Sequence, residues 1–205
     1  MKCCERPLVV DLDRTLITED SFWSDTKFLI KHQALGFCYE GIKILFFHKG
    51  KGRWPFLKSR VAFLSGEIDY KINPEFFKFL QSEHKQRKCW LFTGSAAQNA
   101  FYISQKHQYF SKILASTNKT IMSASQKLIW LRENKINEFD YAGDKLGDFI
   151  IFKKSAICYV VNPSLALLLR LLLASKFKIK FFDVAINLKW LSHLVIRRHS
   201  KIKEH

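Results

Sequence analysis

The segment "VVDLDRTLI" (residues 9–17) places two carboxylates, Asp11 and Asp13, at the end of a short apolar run. Such a run is typical of a buried strand. Asp is also common where a strand ends and a turn begins, so the segment alone is compatible with an ordinary turn. What the rest of the chain brings to the same place decides between a turn and an active site.

Four further strand-like runs follow the first one, and helical patterns separate most of them. The five runs cover residues 7–11, 88–93, 111–116, 139–143 and 156–161. Asn73 followed by Pro74, and Ser123 followed by Gln126, are typical of helix starts. Strands that alternate with helices predict an α/β fold, with a mostly parallel five-stranded Rossmann-like sheet flanked by helices.

Two segments do not fit this alternation. Residues 18–70 are too long for a strand-to-helix connection, and they predict a small inserted helical subdomain. Its helices are expected at about 22–33, 36–49 and 55–65, with the basic turn "HKGKGRW" before the last of them. The core then comprises residues 1–17 and 71–163. Residues 164–205 read as a basic, amphipathic helical extension, with 164–174 packed on the sheet and 176–205 in contact with a membrane or a partner.

Polar side chains gather at the carboxyl ends of the predicted strands, where ligands bind in open α/β sheets. These positions are Asp11, Asp13 and Thr15; Thr93, Gly94 and Ser95; and Asp144 and Asp148. Lys127 stands in the first turn of the helix before the fourth strand. Lys119 in "STNKT" is an alternative lysine, although the spacing favours Lys127. The joint order of these groups favours an active site over a set of turns.

The residue types indicate phosphoryl transfer. Clustered carboxylates repel one another and need a cation, and hard oxygen ligands select Mg²⁺. One carboxylate can attack phosphorus and form an aspartyl-phosphate. A second one can protonate the leaving oxygen and then activate water. An ammonium group, a hydroxyl and backbone N–H groups at a helix start suit the phosphoryl oxygens.

Four segments, "DLDRT", "LFTGS", Lys127 and "GDKLGD", resemble in order the motifs of the haloacid dehalogenase (HAD) superfamily of phosphohydrolases. The resemblance runs from about residue 7 to 163. It implies a helical cap at 18–70, and it implies the following roles. Asp11 is the nucleophile and a metal ligand, and Asp13 is the general acid/base and offers its main-chain carbonyl to Mg²⁺. Thr93 and Gly94 bind the phosphoryl group, and Lys127 neutralises charge on the nucleophile and the phosphate. Asp144 ligates Mg²⁺, while Asp148 and Thr15 support the site.

Arg14 departs from the pattern of this family, which usually has Gly there. Gly tolerates backbone angles that Arg resists, so the loop is expected to differ slightly. Two orientations of the Arg14 side chain are compatible with the sequence. It can contact the substrate, or it can point outward into solvent.

The charge of the chain points to an anionic partner. Its 205 residues include 34 Lys and Arg against 18 Asp and Glu, a formal net charge of +16. A nucleic acid, a membrane surface and a phosphorylated substrate all suit such a charge. No recognisable nucleic-acid-binding module is present, which sets the first aside. No apolar run is long enough to span a membrane.

The five cysteines predict neither a zinc site nor a disulfide framework, because their number is odd and no C-x-x-C occurs. Reduced thiols in an intracellular protein are expected. The adjacent Cys3 and Cys4 are candidates for acylation.

The resemblance is greatest to membrane-associated HAD domains, namely those fused to prenyltransferases and the tyrosine phosphatase effectors of intracellular bacteria. It implies a Mg²⁺-dependent protein tyrosine phosphatase at a membrane surface, delivered into a host cell if it is an effector. One alternative is a phosphatase of a lipid-linked or small-molecule phosphate. Another is a membrane-binding module on an inactive core. The aromatic side chains of the cap are mostly expected in its own small core, with one or two facing the pocket. The basic side of the cap is compatible with an acidic peptide, lipid headgroups or solvent.

Overall fold

The computed structural model describes residues 6–47, 53–174, 178–185 and 188–200. Its strands are β1 (Leu8–Val10), β2 (Cys89–Ala96), β3 (Phe110–Ser116), β4 (Asp140–Gly143), β5 (Ile157–Val161) and β6 (Lys178–Phe182). Its helices are α1 (Ser21–Phe47), α2 (Arg53–Ser65), α3 (Pro74–His84), α4 (Ala97–His107), α5 (Ala124–Glu133), α6 (Phe149–Phe152), α7 (Leu165–Leu173) and α8 (Lys189–Ser200).

The six strands form one parallel sheet in the order β3-β2-β1-β4-β5-β6. The central strand β1 is buried on both faces. Leu8 and Val10 pack into one apolar core with α3 and α4, whereas Val9 packs into the other core with α5 to α8. This alternation follows from the two-residue side-chain period of a strand, and burial on both faces is typical of a parallel sheet covered by helices. The predicted α/β fold class is confirmed.

The predicted helix starts are confirmed at atomic level. The Asn73 side chain accepts a hydrogen bond from the Phe76 N–H, with Pro74 in the first helical position. The Ser123 hydroxyl accepts one from the Gln126 N–H. Each bond satisfies an N–H that has no partner inside its helix.

The predicted number of five strands is wrong, because "KIKFF" in the C-terminal extension forms the sixth strand. β6 pairs in register with β5, from Ile157 beside Lys178 to Val161 beside Phe182. Its alternating lysines resemble a basic amphipathic segment, but Ile179 and Phe181 pack against one face of the sheet. The extension is therefore not wholly helical.

The rest of the extension also packs on the core rather than standing away from it. α7 and α8 lie against each other, and Leu191 and Val195 of α8 are buried. The His199 ring nitrogen Nε2 lies 3.0 Å from the Leu171 carbonyl oxygen. The expectation that 176–205 serve membrane contact is wrong for these buried side chains. Residues 1–5, 48–52 and 201–205, with Cys3, Cys4 and most of the basic turn, lie outside the described residues.

The inserted segment leaves and rejoins the core at one point. Ile17 and Ile72 form an antiparallel bridge, and the Thr18 N–H donates to the Lys71 carbonyl over 2.9 Å. Beyond this junction, α1 consists of two helical stretches that meet at a kink at Gln33, where φ is −143° and ψ is 42°. The kink lies where the sequence predicted the end of the first cap helix.

The cap has a small apolar core of its own. Phe22, Leu29 and Val61 are buried between α1 and α2, with Leu57 and Leu64 packed beside them. No helix among the described residues is long and apolar enough to cross a membrane.

Candidate active site

The candidate site lies at the carboxyl edge of the sheet, where β1, β2 and β4 end next to the start of α5. The Asp11 N–H donates to the Ala142 carbonyl over 2.9 Å, which extends the pairing of β1 with β4 by one residue. The chain then folds back over Leu12–Leu16, and the Ile17 N–H donates to the Leu12 carbonyl over 3.1 Å. This turn places Asp11 and Asp13 on the same edge, both almost fully buried.

Asp11 forms a buried ion pair with Lys127. The Lys127 Nζ lies 2.8 Å from Asp11 Oδ1 and 2.9 Å from the Tyr141 hydroxyl. Burial alone raises the pKa of Asp11, but the charges of Lys127 and Lys145 and the hydrogen bond from Lys127 outweigh it and lower that pKa. Asp11 is therefore held as a carboxylate. Lys119 is exposed in the loop after β3, so the structure brings Lys127 to Asp11.

Asp144 and Asp148 complete a group of three carboxylates with Asp11. One oxygen from each residue lies within 4.8 Å of the others. Asp144 Oδ1 and Asp148 Oδ2 are buried without a hydrogen-bond partner. Burial and the neighbouring carboxylates raise the pKa of Asp148, and they raise the pKa of Asp144 to about 8.

This group fits a hard divalent cation. Buried, unpartnered carboxylate oxygens that repel one another are the donor set that Mg²⁺ prefers. The sequence prediction for the metal site included Asp11, Asp13 and Asp144. Asp148, expected only in a supporting role, contributes its carboxylate to the group. Asp13 was predicted to offer Mg²⁺ its main-chain carbonyl, which stays a prediction, and its side chain binds Ser21 and Ser95.

The two oxygens of Asp13 have separate donors. Oδ1 accepts from the Ser21 N–H over 2.9 Å, and Oδ2 accepts from the Ser95 hydroxyl over 2.7 Å. Burial raises the pKa of Asp13, and the charge of Asp20 raises it further. Asp11 and Asp13 are thus two residues apart with their pKa values displaced in opposite directions. Such a displacement separates a nucleophile from a proton donor.

Thr93 is fully buried at the end of β2, and its hydroxyl is engaged with Ser95. Its Oγ1 accepts from the Ser95 N–H and lies 3.0 Å from the Ser95 hydroxyl. In this arrangement Thr93 positions Ser95, which in turn holds Asp13. The carbonyl of Gly94, the predicted phosphate-binding neighbour, accepts from Lys58 of α2 over 2.7 Å. Thr15 is fully buried, and its hydroxyl has no partner.

Arg14 adopts the left-handed backbone conformation that favours glycine, with φ 56° and ψ 6°. The loop therefore keeps the shape that a Gly allows, contrary to the expectation that Arg would alter it. The Arg14 Nε lies 3.6 Å from Asp144 Oδ2, and the side chain is 48% exposed. Neither predicted orientation describes it fully, because Arg14 is partly solvated and also paired with a carboxylate of the site.

Three functional side chains were missed by the sequence prediction, namely Tyr141, Lys58 and Lys145, and Ser95 was placed at the site without a role. Ser95 lies inside "LFTGS" and Lys145 inside "GDKLGD", so adjacency to predicted residues was the available signal. Carboxylates of the site raise the pKa of Lys145 even though its burial lowers it. Tyr141 sits in an apolar strand and Lys58 in a basic helix. Nothing local marks either one, since their roles come from contacts across the fold.

No protein-family model matches the sequence, and no curated protein is significantly similar to it. Solved structures do share the fold. A HAD family hydrolase from Salmonella enterica serovar Typhi has a TM-score of 0.60 and 14% identity, over 90% of this chain and 70% of its own. A substrate-bound phosphoserine phosphatase has a TM-score of 0.58 and 10% identity, over 92% and 98%. A phospho-aspartyl intermediate analogue of phosphoserine phosphatase has a TM-score of 0.56 and 10% identity, again over 92% and 98%.

These similarities establish the fold. The chain has the α/β architecture of HAD-family hydrolases, as its motifs predicted. The membrane-associated subtype stays a prediction.

Proposed function

We propose that this protein is a Mg²⁺-dependent phosphohydrolase of the HAD type that works through an aspartyl-phosphate on Asp11. The observation that carries the proposal is the pair Asp11 and Asp13. The first is ion-paired to a buried lysine, and the second is held by two donors with its pKa raised. This chain also shares its fold with the structure of phosphoserine phosphatase as a phospho-aspartyl intermediate analogue.

The side chains divide the reaction into two steps. In the first, an Asp11 carboxylate oxygen attacks phosphorus and the bond to the leaving oxygen breaks, while Asp13 gives that oxygen its proton. In the second, the Asp13 carboxylate takes a proton from water, whose oxygen attacks phosphorus and releases phosphate and free Asp11. Lys127 stabilises the negative charge on Asp11 in both steps. Bound Mg²⁺, held by Asp11, Asp144 and Asp148, would offset the charge of the phosphoryl oxygens.

Phosphotyrosine is the substrate that we favour, because the cap helices, whose first residue binds the proposed acid, carry aromatic side chains. Phe22 directly follows Ser21, whose N–H binds Asp13. The Phe22 and Trp54 ring centroids are 5.0 Å apart, and Trp54 is about half exposed. Offset or tilted rings at such distances attract one another, so an aryl leaving group has a suitable neighbour here.

Two alternatives are kept. A lipid-linked or small-molecule phosphate would use the same carboxylates, and the apolar side chains of the cap would suit a lipid. A membrane-binding module on an inactive core is disfavoured by the intact set of acids and the ordered Lys127. In each case the net charge of +16 leads us to place the protein peripherally at an anionic membrane surface.

The experiment is phosphate release from phosphotyrosine, phosphoserine and phosphothreonine peptides, sugar phosphates, a lipid phosphate and an aryl phosphate. Asp11→Asn is compared with wild type, and Asp69→Asn, at an exposed ion pair with Lys106, is the matched control. We expect turnover that needs Mg²⁺, favours phosphotyrosine, falls roughly a thousandfold or more in Asp11→Asn and persists in the control.

Other results would redirect the proposal. Turnover of lipid or small phosphates alone would favour the first alternative. A folded protein that turns over nothing with Mg²⁺ present would refute the enzymatic proposal and leave the binding module.

A further inference from the structure

Among the described residues, the cap exposes more large apolar side chains than its small core buries. Five large side chains of α1 are each more than half exposed: Trp23, Ile30, Leu35, Tyr39 and Ile42. Leu35, with 90% exposure, is the extreme case. We call these five residues and the lysines between them the outer cap face. Several exposed large apolar side chains on one element mark an interaction site more often than single scattered ones do.

The spacing puts these side chains along the length of the helix. Leu35, Tyr39 and Ile42 follow one another at intervals of four and three residues, which aligns them on one side of a helix. On the other side of the kink at Gln33, Trp23 and Ile30 are seven residues apart and align in the same way. The buried residues Phe22 and Leu29 occupy a different side.

Basic side chains are interleaved with the apolar ones. Lys27, Lys31 and Lys43 are exposed, and the Lys43 Nζ lies 4.4 Å from the centre of the Tyr39 ring. Among the side chains described between 23 and 43, the only acid is Asp25, which is buried. Over the wider stretch from Lys27 to Arg60, the sequence has eight Lys or Arg and one acid, Glu40.

We propose that the outer cap face docks on an anionic lipid bilayer, with its apolar side chains in the headgroup region and its lysines on the phosphates. Aromatic and aliphatic side chains mixed with lysine are the composition of helices that lie in a membrane interface. The long stems of the lysines let their charges reach the headgroups while the apolar part stays inserted. This inference rests on the peripheral location proposed above and needs no phosphatase activity.

A second copy of the chain fits this surface less well. Two outer cap faces would bring like charges together on chains that each carry +16. The bilayer offers the opposite charge to the same lysines. Docking would also hold the active site at the lipid surface, because the cap touches the site through Lys58 on the Gly94 carbonyl and Ser21 on Asp13.

The test is sedimentation with vesicles of phosphatidylcholine alone, or with roughly a third of phosphatidylserine. The triple variant Leu35→Ser, Tyr39→Ser, Ile42→Ser removes exposed side chains only. Its matched control changes three exposed apolar residues of α8, as Trp190→Ser, Leu194→Ser, Ile196→Ser. A charge variant, Lys27→Glu with Lys31→Glu, tests the lysines. Circular dichroism and thermal unfolding establish that each variant is folded.

We expect wild type to bind only the anionic vesicles, and to be released when salt rises from about 0.1 M to about 0.5 M. The cap triple variant and the charge variant should each lower the partition coefficient roughly tenfold or more, while the α8 control binds as wild type does.

Three results would overturn the proposal. One is vesicle binding that survives both cap variants and is lost in the α8 control. Another is equal binding to neutral vesicles. The third is a dimer in sedimentation velocity that only the cap variants dissociate, without vesicle binding. Aryl phosphate turnover, measured separately, shows whether the proposed enzymatic function fails or holds independently of docking.

Discussion

Replacing Arg14 by glycine should tighten Mg²⁺ binding without a large change in stability. The left-handed conformation of Arg14 costs roughly 1 kcal/mol for a residue with a Cβ. Glycine removes that strain, but it loses roughly 0.5–1 kcal/mol more backbone entropy on folding. The two terms nearly cancel, so the free energy of unfolding should change by less than about 1 kcal/mol.

The effect on the metal comes from charge. The Arg14 Nε lies 3.6 Å from Asp144 Oδ2, and the exposure of its side chain calls for a water-like dielectric constant. A pair of unit charges at about 4 Å is then worth about 1 kcal/mol. A cation that binds Asp144 competes with this ion pair and is also repelled by the guanidinium charge of Arg14. Together these two terms weaken cation binding by about 1–2 kcal/mol. We therefore expect Kd for Mg²⁺ to fall about tenfold at low salt.

The assay is isothermal titration of Mg²⁺ into wild type, Arg14→Gly, Arg14→Asn and Arg14→Lys at about pH 9, where Asp144 is ionised because its pKa is about 8. Asn tolerates the left-handed conformation and is neutral, so it separates charge from the backbone freedom of glycine. Lys keeps the charge and should bind Mg²⁺ within about threefold of wild type. Unchanged Kd values in both neutral variants would refute the reasoning. So would a gain in Arg14→Gly alone, since that would trace the effect to the backbone.

Three further predictions concern stability. Burial raises the pKa of Asp25 from 3.8 to about 6, so the stabilisation it gives is complete below pH 4 and is lost as pH rises to 6. Relative to Asp25→Asn, wild type should lose about 3 kcal/mol between pH 4 and 7 in urea unfolding; parallel pH profiles would contradict this. Lys127→Met should destabilise the metal-free protein by about 3 kcal/mol, because it leaves Asp11 buried and unpaired. Added Mg²⁺ should raise its Tm more than that of wild type in scanning fluorimetry, and equal shifts would count against the pairing. Gly143→Ala should cost about 1–3 kcal/mol in the same urea assay, because its Cβ would lie 2.7 Å from Asp148 Oδ2; wild-type stability would show that this edge of the sheet can relax.

The parts of the fold and site that the sequence predicted are those with a local signal. Asn73 and Ser123 mark the starts of their helices, because each side chain accepts a hydrogen bond from the backbone N–H three residues later in the sequence. Asp11 and Asp144 follow apolar runs, and parallel strands that lie side by side bring their carboxyl ends together. In such cases the neighbours of a residue in the sequence are enough to single it out.

The parts that were not predicted depend on contacts between distant residues. The Tyr141 hydroxyl reaches Lys127 from inside an apolar strand. Lys58 of the cap reaches the Gly94 carbonyl, 36 residues away. The strand "KIKFF" was read as part of a helical extension because its lysines resemble a basic amphipathic pattern, and only its pairing with β5 distinguishes the two. Propensity is a weak guide where tertiary pairing decides the structure.

The hydrogen bond between Asp13 and the first residue of α1 has a consequence for how the cap can diverge among related proteins. The donor is the backbone N–H of Ser21, not its side chain. Every residue except proline supplies that donor. Substitutions can therefore change the side chains of the inserted helices, and with them the substrate preference. The hydrogen bond from the residue 21 N–H to Asp13 is retained. Substrate preference and acid chemistry are inherited separately in such an arrangement.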